Sequence, residues 1–212
     1  MKKKKNIYIL IAILLFSYLG VSLLMYSLFY TDKFLEISFS GIVPQSRMGE
    51  VYELIHKYKW ANISITVIIP LISVAYTTFC LYVSFFLSDF KIKIRTIGKA
   101  VVESQFIFLF VYLFKILWYY FNGVNNLFDL NQMPFSLASC FDIQQGDMNN
   151  AWLLFSLNVL NIFELVYVLS LPIFIAKKTC FRYKEVFKPT LWGYITGLFL
   201  YIFLVSLFSL SL

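Results

Sequence analysis

Five long apolar stretches dominate this chain of 212 residues. Each has at least roughly the 20 residues that a helix needs, at about 1.5 Å per residue, to cross a hydrocarbon core about 30 Å thick. Hydrophobic residues make up 60% of the chain, whereas soluble domains average about 45–50%. The sequence therefore predicts an all-α, polytopic integral membrane protein, a single bundle of five transmembrane helices. The predicted spans cover residues 7–30, 60–87, 100–121, 151–176 and 191–212.

The basic residues between the spans predict how the chain is oriented. Lysine and arginine are concentrated before the first span, after the second and after the fourth, and the loop after the third has none. The positive-inside rule then places the N-terminus in the cytoplasm and the C-terminus outside. The lysine run and short loops favour a bacterial plasma (inner) membrane. The basic residues before the first span, after the second and after the fourth are Lys2, Lys3, Lys4, Lys5, Lys91, Lys93, Arg95, Lys99, Lys177, Lys178, Arg182, Lys184 and Lys188.

Two predicted outer loops, 31–59 and 122–150, hold most of the residues that are not in spans. In the first, Val51, Leu54, Ile55 and Tyr58 have helical spacing. This pattern predicts either an interfacial helix that leads into the second span or a short helix on the outer end of the bundle. In the second loop, residues 134–141 form an apolar patch that is too short to span the membrane. It is either a solvated or half-buried loop or a re-entrant segment, and the latter requires protein to cover its backbone.

Three polar side chains interrupt the fourth predicted span. Asn158, Asn161 and Glu164 are spaced three apart and would form one polar stripe on a continuous helix, facing the bundle interior. A carboxylate at the bilayer centre costs about 2.5–3.5 kcal/mol on insertion scales unless it is paired or protonated. The stripe is therefore either a proton or substrate site or a set of hydrogen bonds between helices that fixes their packing.

Lys115 lies in the third predicted span, roughly two helical turns from its outer end. A long amine at this depth can reach the outer interface by extending along the helix. The competing interpretation is an ion pair with Glu164, which tilt and side-chain reach would have to bring together.

The last predicted span contains a Gly-x-x-x-Gly pattern at Gly193 and Gly197. Small residues at this spacing let two helix backbones approach closely. The pattern predicts helix packing, either within the chain or between two copies in a homo-oligomer.

Most catalytic and metal-binding patterns are missing from the sequence. There is one histidine, His56, and no Cys-x-x-Cys, Gly-x-Ser-x-Gly, His-Glu-x-x-His or P-loop pattern. We therefore expect no enzyme activity, catalytic residue, metal or cofactor. Although the net charge is +7, its position in short loops beside spans indicates membrane topology and not nucleic-acid binding.

The region from 60 to 212 resembles the Yip family of small membrane proteins, in particular its bacterial members. Phe135-Ser-Leu-Ala-Ser before the fourth span, and Leu157-Asn-Val-Leu-Asn-Ile-Phe-Glu-Leu-Val-Tyr167 within it, are similar to that family's pattern. The family's glycine near the end of the fourth span has no counterpart around Ile175-Ala176. The resemblance implies five spans and a role in binding membrane partners.

These observations favour a non-enzymatic membrane protein that is an interaction or accessory subunit of a transport or export assembly. Its expected partners are the lipid bilayer and other membrane proteins. The alternative is a small transporter or channel component in which Asn158, Asn161, Glu164 and Lys115 form an intramembrane polar site.

Overall fold

A computed structural model describes residues 7–39, 43–123, 130, 135–140 and 151–210. Within these residues every regular element is helical, and the only strand-like pairing is one isolated bridge between Ser136 and Asn161. A short 3-10 turn at Gln45–Arg47 precedes the third helix. The α-helices are α1 (Ile7–Phe29), α2 (Asp32–Phe39), α3 (Met48–Leu87), α4 (Ile94–Ser104), α5 (Phe106–Asn122), α6 (Leu137–Cys140), α7 (Ala151–Val159), α8 (Ile162–Lys178) and α9 (Tyr183–Leu210).

Four helical stretches are long and apolar enough to cross a membrane, and they make this an integral membrane protein. They are α1, α3, the combined stretch Ile94–Asn122 formed by α4 and α5, and Tyr183–Leu207 of α9. The fourth predicted span does not qualify as one helix, because it consists of the separate helices α7 and α8. All-helical architecture and membrane-spanning helices are thus confirmed.

Two helices begin where the apolar stretches begin, α1 at Ile7 and α7 at Ala151, but the other three predicted spans start later than their helices. The second span was predicted from residue 60, but α3 begins at Met48; the last was predicted from 191, but α9 begins at Tyr183. The third was predicted from 100, but α4 begins at Ile94 and the helix is interrupted at Gln105. Hydropathy marks the edge of the membrane, whereas a helix can continue into the interface as long as its residues favour helix.

Helix α3 has 40 residues and is therefore about 60 Å long. Its first turns include the predicted helical segment of the first outer loop, which proves to be continuous with the second span. The short helix α2 packs beside it: Leu35 is fully buried, and Asp32 Oδ1 lies 3.4 Å from His56 Nε2. Leu54 and Tyr58 of the predicted apolar face are 51% and 53% exposed.

The main core lies between α3, α4, α8 and α9. Its fully or almost fully buried side chains include Leu81, Phe85, Ile97, Tyr167 and Leu171. Helix α1 packs against the other side of α4 and α5, through Leu10, Leu14, Tyr18 and Val102. Helix α8 thus packs between α4 and α9 with one face, while Leu165 and Leu169 on its other face are exposed.

The closest helix contact is the seam between α3 and α9. A Cβ added at Gly193 would lie 2.6 Å from Ser84 Cβ, and one at Gly197 would lie 2.9 Å from Cys80 Sγ. Two hydroxyls of α3 donate to carbonyls of α9: Tyr76 to Gly197 at 2.7 Å and Ser84 to Pro189 at 2.7 Å. The Gly-x-x-x-Gly face is therefore covered within the chain.

Candidate functional site

The fourth predicted span is interrupted between α7 and α8, close to the residues that the sequence singles out. Helix α7 ends at Val159, α8 begins at Ile162, and Asn161 has an extended backbone (φ −132°, ψ 166°). The prediction of one polar stripe on a continuous helix is wrong, because Asn158 and Asn161 lie on opposite sides of this break. Their side chains bond to backbone and loop groups at the break, as described below.

Asn161 compensates for the hydrogen bonds that the break removes. Its Oδ1 accepts from the backbone N–H of Glu164 at 2.9 Å, so Asn161 is the N-cap of α8. Its Nδ2 donates to the carbonyls of Asn158 at 3.2 Å and Val159 at 3.1 Å. One side chain thus satisfies backbone groups from both helix ends, which the break would otherwise leave without partners.

A segment of the second predicted outer loop, residues 135–140, packs against the break. The backbone N–H of Leu137 donates to the Leu160 carbonyl at 3.0 Å, and that of Ile162 donates to the Phe135 carbonyl at 3.3 Å. The fully buried Ser136 donates from Oγ to Asn158 Oδ1 at 3.1 Å. These described residues belong to the apolar patch at 134–141, and Ser136 and Ala138 are buried while Phe135 and Leu137 stay 49% and 41% exposed. Whether the patch is a half-buried loop or a re-entrant segment stays a prediction. Pro134, Phe141 and most of the loop 122–150 lie outside the described residues.

Glu164 is in the first turn of α8, where the positive end of the helix dipole favours a negative charge. Its Oε1 accepts a hydrogen bond from the Tyr194 hydroxyl of α9. The Tyr194 ring lies 5.3 Å from the ring of Tyr167, between centroids, and the Tyr167 hydroxyl donates to Gln105 Oε1 at 3.4 Å. Gln105 stands at the interruption between α4 and α5.

We use the name polar centre for the seven residues that these contacts join. They come from the loop segment and from the third, fourth and fifth predicted spans. The seven are Gln105, Ser136, Asn158, Asn161, Glu164, Tyr167 and Tyr194.

Lys115 does not belong to the polar centre. Among the described residues, no ion pair joins it to Glu164. It is only 7% exposed, and its amine lies 5.8 Å from the ring centroid of Tyr119. It lines a separate cavity between α1, α3 and α5. The ion pair with Glu164 is thus not formed, and the extension of the amine to the outer interface stays a prediction.

Sequence reasoning missed the helix break and four members of the polar centre, which are Gln105, Ser136, Tyr167 and Tyr194. Asn161-Ile-Phe-Glu164 has the spacing of a capping box, with an N-cap residue three positions before a glutamate. That signal could have located the helix break. Gln105 is a polar residue within an apolar stretch, and Tyr194 stands inside the Gly-x-x-x-Gly pattern. Tyr167 carries no sequence signal that separates it from the 14 other tyrosines, and Ser136 none beyond its place in the apolar patch.

The polar centre consists of amide, hydroxyl and carboxyl groups that bond to one another, and the Glu164 carboxylate is the member that can take up a proton. Metal binding has less support, since the part of the chain described here has no group of three or more His, Cys, Asp or Glu side chains that could hold an ion.

Fold and site together define a helical integral membrane protein with a polar centre inside the bundle. No protein-family model matches the chain, and neither a curated protein nor a solved structure matches it significantly.

Proposed function

We propose that this protein is a component of a membrane transport system, and that the polar centre binds the transported solute or carries a proton. The observation that carries the proposal is the break in the fourth span, beside which Glu164 lies. Transporters bind polar solutes and ions at discontinuous helices, where backbone and side-chain groups leave the regular hydrogen-bonding pattern. An ionisable residue inside a membrane bundle is itself a mark of such sites.

The topology that this proposal uses has five spans. Helices α7 and α8 together count as the fourth span, with the N-terminus in the cytoplasm and the C-terminus outside, as the basic loops favour. We also propose that the protein lies in a bacterial inner membrane and is related to the Yip family. The residue patterns given above support both proposals.

Reconstituted vesicles test whether Glu164 carries protons. We would trap a pH-sensitive dye in vesicles that contain the purified protein and impose a membrane potential. We expect the wild-type protein to increase proton flux over protein-free vesicles, and Glu164→Gln to reduce that increase at least tenfold. Glu103→Gln is the matched control, because Glu103 lies in the same bundle but pairs with Lys178 at 2.7 Å, outside the polar centre.

The thermal midpoint separates a transport role from a packing role. Glu164→Gln keeps an acceptor for the Tyr194 hydroxyl, so we expect its midpoint to stay within a few degrees of wild type. Wild-type flux from a folded Glu164→Gln variant would eliminate proton transport by this carboxylate. The proposal that a solute is transported through the polar centre would be contradicted if Ser136→Ala and Asn158→Leu also left solute uptake unchanged.

A second candidate function is that of an accessory subunit, and the outer part of α3 favours it. Residues 48–59 continue the helix by about 18 Å before the apolar span begins. Leu54 and Tyr58 stay more than half exposed there. Exposed apolar side chains on a helix outside the span suit a partner protein.

A pull-down in mild detergent tests the accessory role. We expect a partner at constant stoichiometry with wild type, and its loss when Leu54 and Tyr58 are both changed to Glu. Glu53→Gln is the control on the same helix. If a partner stays bound to the double variant, this face of α3 is not its docking site.

A further inference from the structure

A cavity of about 280 Å³ lies between α1, α3 and α5, apart from the polar centre. Tyr18 and Tyr26 of α1, Tyr30, Tyr112 of α5 and Asn62 of α3 contribute to its walls. Its volume is just below the range for drug-sized ligand sites, about 300–1,000 Å³, and therefore suits a small ligand. The aromatic rings make most of the lining apolar, with hydroxyl and amide groups at a few positions.

Lys115 places a cation in this cavity. The side chain lines the cavity although it is only 7% exposed, and no described residue that lines the cavity is acidic. A buried ammonium group is costly unless an anion accompanies it. The cavity therefore has the charge of an anion site and the wall of an apolar one.

A second lysine lies near the rim. Lys59 Nζ is 5.4 Å from the ring centroid of Tyr26, which lines the cavity, and the neighbouring lining residue Asn62 is exposed. The Asn62 amide also donates to the Tyr26 hydroxyl at 3.5 Å. The positive charges of Lys59 near the rim and Lys115 in the wall both attract an anion to the cavity.

We propose that this cavity binds a small organic anion, a monocarboxylate with an apolar or aromatic body. The Lys115 ammonium pairs with the carboxylate, and the tyrosine rings surround the body. The site needs no member of the polar centre, so it is independent of the proposed transport by Glu164.

Calorimetric titration of the full-length protein in phosphatidylcholine nanodiscs tests this site. The probes are benzoate, butyrate and inorganic phosphate. We expect benzoate to bind more tightly than phosphate, since only benzoate fills the aromatic part of the cavity. We expect Lys115→Met to weaken benzoate binding at least tenfold, and Lys115→Arg to restore most of it.

Two controls show whether the effect belongs to this cavity. Lys178→Met removes a lysine elsewhere in the bundle and Glu164→Gln changes the polar centre, and both should leave benzoate binding as in wild type. Lys115→Met removes a buried charge and keeps a long side chain, so it should fold. Equal benzoate affinity in wild type and Lys115→Met, or no binding to either, overturns the proposal.

Two further arms identify a competing anion. If phosphatidylglycerol added to the nanodiscs abolishes benzoate binding to wild type, a lipid headgroup occupies the site and the soluble ligand is overturned. Asp129, which precedes Leu130 of the cavity wall in the chain, lies outside the described residues. Benzoate binding by Asp129→Asn but not by wild type would show that the protein supplies its own counter-ion, which also overturns the proposal.

Discussion

The α3–α9 seam and the break between α7 and α8 meet the same requirement in opposite ways. Every buried backbone polar group needs a hydrogen-bond partner. At the seam the helices stay continuous, and glycines let their backbones approach until a Cβ at Gly193 would clash with Ser84. At the break the helix is interrupted, and Asn161 and residues 135–140 supply the missing partners. The seam is built for close packing, whereas the break leaves polar side chains inside the bundle.

The two regions meet at Tyr194. It follows Gly193 in α9, but it points to α8, where its hydroxyl donates to Glu164. One face of α9 thus packs on α3 through glycine while the adjacent face reaches the polar centre through tyrosine. Variants of the two faces therefore distinguish packing from polar contributions within a single helix.

The largest effect is expected at the seam. Gly193→Leu should abolish recovery of folded protein, and Gly193→Ala should destabilise it by about 1–3 kcal/mol, because the added Cβ overpacks against Ser84. The measurement is thermal unfolding in detergent combined with size-exclusion chromatography. Gly20→Ala in α1 is the control, since a Cβ there meets nothing within 4 Å. A Gly193→Ala midpoint equal to that of Gly20→Ala would mean that the seam is looser than described.

At the polar centre, Tyr194→Phe should cost about 1–3 kcal/mol. It removes the hydroxyl that donates to Glu164 and leaves a part-buried carboxylate without that hydrogen bond. Thermal unfolding of Tyr194→Phe, Glu164→Leu and the double variant forms a mutant cycle, because leucine removes the acceptor that glutamine would keep. We expect a coupling energy of at least about 0.5 kcal/mol between residues in contact. Strict additivity would argue against the contact.

Asn161→Ala should cost about 0.5–2 kcal/mol, the usual range for loss of an N-cap. Asn161→Ser should lose less, because serine can also accept from the Glu164 N–H. Hydrogen exchange read by mass spectrometry should show faster exchange in a peptide that begins at the first turn of α8. Asn62→Ala is the control, since Asn62 is exposed and caps no helix. Unchanged exchange in Asn161→Ala would show that other groups hold the break.

The sequence alone predicts that this is a membrane protein and where its apolar stretches lie. The length of each stretch is the signal, so the positions of α1 and of the α4–α5 stretch could largely be predicted. Helix ends could not be predicted, because residues 48–59 favour helix without being apolar enough to mark a span. Whether the α7–α8 pair crosses the membrane as a fifth span stays a prediction.

Only three of the seven residues of the polar centre could be predicted from the sequence. Asn158, Asn161 and Glu164 stand out as polar residues in an apolar stretch, but their spacing of three favoured a continuous helix. The break depends on Ser136 and its neighbours, which are distant in sequence, and no local pattern shows that contact. Lys115, like Glu164, is a charged residue in an apolar stretch, yet it lines a cavity apart from the polar centre. Hydropathy predicts how deep a residue lies in the membrane, but not which side of its helix faces the rest of the bundle.

The smallest effect is expected at the other end of α8, where Lys178 pairs with Glu103 of α4 at 2.7 Å. The two side chains are 21% and 27% exposed, so solvent screens the pair and its loss in Lys178→Met should cost at most about 1 kcal/mol. That loss should shrink further at 1 M salt, where the Debye length is about 3 Å. The cost of Tyr194→Phe should change less with salt, because the Tyr194 hydroxyl is uncharged and its side chain is only 9% exposed. Thermal unfolding of both variants at low and high salt checks this contrast, and equal salt dependence would place the Tyr194–Glu164 contact in reach of solvent.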